Sequence, residues 1–341
     1  IRDSFHHPTL CLHADDFGMN PAVNAGILRS LETGLLTSTS VLANAPAADA
    51  ALSAWSRLDL IRRSPGFPGR SLRHRVSDRC ASFDLGVHFN LTQGRPLTAE
   101  FPEELLDRDG CFPGIFSLFA KLGRLPAQTV AGTPARRTAD AIARELRAQV
   151  EVVTAHGLVP THFNGHQYIE LIPVVGGIVI ALAREYGIDT IRVAREPQIM
   201  RYALSRDAGP VQAALGLVKR QYAQRFARAV ATARLTSPAA YFGTLHAGKI
   251  TTELLDAFLE AGRRYRSVEI GLHPAEVVRG TNGVAASPEW SDPLAEVRPR
   301  ELDWLCAPTT ADLIAASGYE LGRLFRLPSP ASRRDFTLHA A

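Results

Sequence analysis

Residues 12–18 read LHADDFG, an apolar run that ends in two neighbouring carboxylates, Asp15 and Asp16. Like charges that share a site raise each other's pKa, so the pair needs an offset. One reading is plain structure, with both aspartates capping or facing the positive end of the next helix. The other is chemistry. Histidines recur where further apolar runs end: His88 in FDLGVHFNL, His166 in THFNGHQ, His246 in YFGTLHAG and His273 in EIGLHPAE. An aspartate and two histidines make a good ligand set for a divalent metal with open positions. A dication would hold one aspartate ionised as a ligand and leave the other as a base towards water. Taken singly, His88 also fits a satisfied core residue, and His273, before Pro274, a turn. Arg192 could orient an acid at the site or pair with a surface carboxylate such as Glu196.

These residues need a scaffold that gathers them. TLCLHAD, STSVLAN, FDLGVHFNL, PTHFNGHQ, DTIRVARE, AAYFGTLHAG and SVEIGLHPA read as seven strands. Helical patterns alternate with them. Asn20 and Pro21 open one at 20–34; others run over 138–156, 173–186, 251–262 and 308–318, each closed by glycine. Strand–helix alternation implies a parallel sheet with right-handed crossovers. In such folds the site sits at the carboxyl ends of the strands, where the Asp and His residues fall. No GxGxxG follows the first strand, which removes support for dinucleotide binding. The expected fold is α/β, a deformed TIM-like (β/α) barrel of about seven parallel strands, as one catalytic domain over 1–341. Insertions are expected at 57–82, 95–136 and 205–235.

Bulk properties narrow the class. The chain has 341 residues and a net charge of +4, too mild to argue for nucleic acid. Cys11, Cys80, Cys111 and Cys306 form no CxxC pair, which argues against a zinc knuckle or disulfide framework and fits a reducing compartment. No apolar signal region opens the sequence, and the apolar run at 171–183 is too short to span a bilayer. A cytoplasmic location is expected. The basic stretch 205–235 places Val211, Leu215, Val218, Tyr222 and Phe226 at helical spacing. It reads as a helix packed on the barrel or as a membrane-surface helix giving access to a glycolipid.

Several segments carry a family resemblance: HADDFGMNPAVNAGI, GLLTSTSVLANAPAA, LGVHFNLTQGRPL, THFNGHQ, IRVARE, GKITTELL and EIGLHPAE. In this order they resemble the YdjC-like carbohydrate deacetylases, the first being the most specific. The NGHQ segment looks closer to members associated with hopanoid biosynthesis than to chitooligosaccharide deacetylases. The resemblance implies a deformed (β/α) barrel and removal of acetyl groups from N-acetylated amino sugars, in oligosaccharides or hexosamine glycolipids. It implies one divalent metal, zinc or magnesium, on Asp16, His88 and His166. Asp15 would be the base and His273 the general acid. Arg192 would lie at the edge of the site, with Asn164 and His13 beside it as substrate-side residues. His13, Asn164 and Tyr168 depart from the residues usual in the family and alter the surroundings of the metal. The alternatives are another metal hydrolase, such as a phosphoesterase, or a sugar-binding protein without catalysis. A homodimer is compatible with the sequence.

Overall fold

The computed structural model describes residues 7–32, 34–63, 72, 76, 83–127, 129–197, 210–277 and 289–325. Seven strands form its sheet: β1 (Thr9–Phe17), β2 (Ser38–Val41), β3 (Asp84–Phe89), β4 (Phe163–Gly165), β5 (Ala240–Phe242), β6 (Ser267–Leu272) and β7 (Glu320–Leu321). They run in the order β4-β3-β2-β1-β6-β5, and every ladder is parallel. β7 joins the start of β1 at Thr9 and Leu10. β1 is buried along almost its whole length, as a strand covered on both faces must be, and this explains its unbroken apolar start.

Nine helices surround the sheet among the described residues: α1 (Pro21–Glu32), α2 (Ala48–Arg63), α3 (Ile115–Leu122), α4 (Pro134–Ala155), α5 (Pro173–Glu185), α6 (Pro210–Thr232), α7 (Thr252–Gly262), α8 (Arg298–Leu305) and α9 (Pro308–Ser317). Their ends follow local chemistry. The Asn20 side chain accepts the Val23 amide at 2.9 Å ahead of α1, and Thr251 accepts that of Leu254 ahead of α7. Gly318 closes α9 at φ +79°, a conformation that costs glycine nothing.

The parallel α/β architecture is as expected; its details differ. The sheet curls into a half-barrel. The expected strand at 189–196 appears only as isolated bridges, Phe163 with Ile191 and Thr190 with Thr236. Its backbone still serves both sheet edges: Arg192 N donates to Phe163 O at 2.9 Å, and Tyr241 N to Arg195 O at 3.3 Å. The stretch 95–136, expected as an insertion, contains α3, whose Leu118 and Leu122 join the core. Ahead of the helix expected at 308–318 lies α8, which was not expected. Residues 57–63 belong to α2, and 64–82 lie outside the described residues apart from 72 and 76.

α6 spans most of the basic stretch. Ala223, Phe226 and Val230 are buried, and Tyr222 packs edge-on against Phe119 at 5.2 Å. Val218, expected on the same stripe, is half exposed. The side chains of Val211 and Leu215 lie outside the description. Among the described residues no helix is long and apolar enough to cross a membrane.

Candidate metal centre

Side chains along a strand alternate between faces, so Asp15 and Asp16 should point apart. They do not, because β1 breaks its register with β2 between Ala14 and Phe17 and Asp16 takes φ +68°. Bulges of this kind re-aim a side chain, and a left-handed non-glycine residue costs on the order of 1–3 kcal/mol. The strain brings both carboxylates to one mouth.

Asp16 lies against the ends of β3 and β4. Its Oδ1 is 3.5 Å from His88 Nε2 and 3.1 Å from His166 Nδ1. Ligand-capable atoms of the three residues all lie within 4.8 Å of one another, and all three are buried. Asp16 Oδ2 accepts Arg298 Nη2 at 2.7 Å, whereas the buried Oδ1 has no hydrogen-bond partner among the described residues. Burial opposes its charge, but Arg298 and the two imidazoles outweigh that and hold its pKa well below the usual carboxylate range. His88 Nδ1 meets Asn164 Oδ1 at 2.9 Å, which commits that nitrogen as donor and leaves the Nε2 lone pair facing Asp16. His166 Nε2 lies 3.1 Å from the Gln93 amide nitrogen. The backbone just after His166 is strained, with Gln167 at φ +54° and Tyr168 at +63°. An orphaned buried carboxylate oxygen facing two imidazoles is an arrangement a divalent cation would satisfy.

Asp15 has different neighbours. Arg192 Nη1 donates to both of its oxygens at 2.8 Å. Asn164 Nδ2 reaches Oδ1 at 3.2 Å, His13 Nε2 lies at 3.2 Å, and Ser40 Oγ at 3.4 Å. Burial raises the Asp15 pKa, yet Arg192 above all, then His88 and His13, keep it well below the usual value. Arg192 is itself anchored by Glu269 at 2.6 Å. His273 Nε2 stands 3.9 Å from Asp15 Oδ2, and its Nδ1 is buried without a partner. Burial pushes His273 down to about 4 against the pull of both aspartates.

The fold thus gathers all eight expected site residues. Asp16, His88 and His166 share one point; Asp15 and His273 face each other beside it. Arg192, Asn164 and His13 are almost wholly buried and contact Asp15, Asn164 also holding His88. The second His13 nitrogen meets Ser38 Oγ at 2.8 Å, and burial pushes this ring down to about 3. His246 lies apart, against Phe258.

Four residues escaped the sequence reading. Glu269 carried a signal, a carboxylate inside a buried strand. Gln93 follows the end of β3 closely enough to have been suspected. Arg298 and Glu301, whose Oε2 accepts the His273 amide at 2.6 Å, lie on α8 and had no local mark.

Fold and site together define a parallel α/β protein with a buried Asp–His–His cluster at the carboxyl ends of its strands. The model of the family described as YdjC-like protein matches residues 9–316, and the chain belongs to that family. A chitooligosaccharide deacetylase of Klebsiella pneumoniae is 30% identical over 314 residues, 92% of this chain and 96% of that one. A carbohydrate deacetylase of Geobacillus stearothermophilus is 34% identical over 191 residues, 55% of this chain, and the match spans 62% of that relative's length. A solved Enterococcus faecalis structure, assigned provisionally to cellobiose-phosphate cleavage, superposes with a TM-score of 0.62 at 20% identity. It covers 93% of this chain and 97% of that one, and at that identity it speaks for the fold alone.

Proposed function

We propose that this chain is a metal-dependent hydrolase that removes the acetyl group from an N-acetylated amino sugar. The observation that carries the reading is the buried, unpartnered Asp16 Oδ1 facing His88 and His166, beside an Asp15 that Arg192 holds ionised. The deacetylase names of the relatives support the substrate class. With the 190–195 segment counted between its edges, the sheet reads as a deformed barrel of one catalytic unit.

A divalent cation held by Asp16, His88 and His166 would polarise the acetamide carbonyl and acidify water. Two imidazoles and one carboxylate suit zinc better than magnesium, which favours oxygen ligands. Asp15 accepts the proton of the attacking water. Arg192, Asn164 and His13 fix the carboxylate for that task and act through it, being too buried to grip a sugar. His273, neutral at pH 7 because burial lowers it to about 4, relays to the departing amine the proton that Asp15 takes from water, across the 3.9 Å between them; the amine is a poor leaving group without it. Asp15 lies on β1 and His273 directly follows the adjacent strand β6, so base and acid reach the same point of the site. A phosphoesterase of the two-metal type needs a second cluster of ligands, and the described residues hold only one.

The test is acetate release from chitooligosaccharides, nucleotide sugars and hexosamine glycolipids, by zinc-loaded and chelator-treated protein. Release from at least one member that chelation abolishes and zinc restores supports the reading. No release from any, or release indifferent to chelation, overturns it. The glycolipid arm also tests whether the exposed Leu217 and Val218 of α6 serve a lipid-linked substrate.

A further inference from the structure

The chain after β6 returns to the metal centre and braces one of its ligands, Asp16. Glu289 O accepts the Gly94 amide at 2.9 Å, and Glu289 Oε1 pairs with Arg95 at 2.7 Å. Gly94, at φ +71°, leaves no room for a Cβ against the Trp290 indole. Ser291 N donates to Gln93 Oε1 at 3.0 Å, which turns the Gln93 amide nitrogen towards His166. Asp292 takes Arg298 Nε on both oxygens, at 3.0 and 2.8 Å. Arg298, 1% exposed, ends on Asp16 Oδ2 at 2.7 Å and reaches His273 O at 3.4 Å. One strap of chain, 289–298, thus holds Asp16 directly and fixes Gln93 beside His166.

We infer that Arg298 is a positioning residue that makes Asp16 a one-oxygen ligand, and that the strap thereby sets metal affinity and coordination number. The inference rests on reading Asp16, His88 and His166 as the metal ligands. A carboxylate free to turn can chelate with both oxygens. Here Oδ2 is committed to a charge-assisted hydrogen bond, and only Oδ1 faces the imidazoles, which leaves coordination positions for water and substrate. A guanidinium beside a dication would ordinarily repel it. Asp292 removes that penalty, because the Arg298–Asp292 pair carries no net charge. Outer partners of metal ligands change affinity by about 10–100-fold when removed, and Arg298 has the most direct hold on a ligand here.

The test replaces Arg298→Met and Asp292→Asn together, so that Asp292 is not left as an unpaired charge. Zinc affinity is measured by competition with a chromophoric chelator, and the visible absorption of the cobalt-loaded protein reports coordination number. The double variant is expected to lose about 10–100-fold in zinc affinity and to give a weaker, shifted cobalt spectrum as Asp16 closes with both oxygens. Arg298→Lys, which keeps one donor, should recover part of each. A folded double variant with wild-type affinity and spectrum overturns the inference. If it does not fold, Asp292→Asn alone is measured the same way: weakened zinc binding, from a guanidinium no longer neutralised beside the cation, supports the strap, and unchanged binding overturns it. A wild-type protein that binds neither zinc nor cobalt would instead bring down the metal-centre reading beneath the inference.

Discussion

Replacement of Arg192 by methionine separates a support for Asp15 from a hand on the substrate. Arg192 is 1% exposed and bridges two buried carboxylates, Asp15 at 2.8 Å and Glu269 at 2.6 Å. Methionine fills much of the space but strands both acids. Breaking a buried ion pair by removing one partner costs about 3–5 kcal/mol. The loss is bounded because the stranded acids can take up protons. Holding a carboxyl neutral costs about 1.4 kcal/mol for every pH unit by which the solution lies above its ordinary pKa. At about 2–4 °C per kcal/mol for a large domain, the thermal midpoint should fall by about 10 °C. Calorimetric melting is the assay, with acetate release measured below the new midpoint. The expected pattern is a large fall in kcat with little change in KM, because Arg192 holds the base and does not touch the sugar. Adding Glu269→Gln should return part of the lost stability, since one stranded charge is gone. An unchanged midpoint with a raised KM would refute this reasoning and make Arg192 a substrate-binding residue at the edge of the site, where the family resemblance put it.

Asp15→Asn should keep the metal and lower kcat by about 10²–10⁴-fold, the usual worth of a general base; metal content and turnover of the same sample decide it. Glu170 is buried with no partner beyond its own amide, and burial pushes its pKa from 4.5 up to about 7. Its raised pKa means that the unfolded chain loses this proton first, so the stability it confers is complete below pH 4.5 and lost as pH rises through about 7. Glu170→Gln should remove about 2 kcal/mol of that pH dependence, read from urea unfolding at pH 5 and pH 8; an equal slope in both proteins would contradict it. Gly86→Ala would drive a methyl into the His162 imidazole and should lower stability by about 1–3 kcal/mol, seen as a lower urea midpoint at unchanged slope.

The alternation of strands and helices, and the meeting of Asp15, Asp16, His88, His166 and His273 at one mouth, were legible because strand ends in a parallel sheet converge whatever their distance in sequence. What turns Asp15 and Asp16 the same way was not legible, since the break in register and the positive φ of Asp16 arise from pairing with β2. His13 and Asn164 were expected as substrate-side residues beside Arg192. Their burial, and the hydrogen bonds that tie them to Asp15, Ser38 and His88, depend on packing between strands far apart in the chain. Arg298 gave no sign, because an arginine opening a polar helix resembles any surface arginine until the strap carries it inward. The segment 189–196 read as a strand because Thr190, Ile191 and Val193 are β-branched; it runs beside both sheet edges with too few bridges to form a ladder.

The central claim is that Asp16, His88 and His166 hold one divalent cation beside Asp15. Equilibrium dialysis against zinc, on the wild type, Asp15→Asn and His88→Ala with folding checked by circular dichroism, tests it most directly. One zinc per chain is expected in the first two and none retained in His88→Ala, with acetate release in the wild type alone. Stoichiometric zinc and undiminished turnover in folded His88→Ala would contradict it.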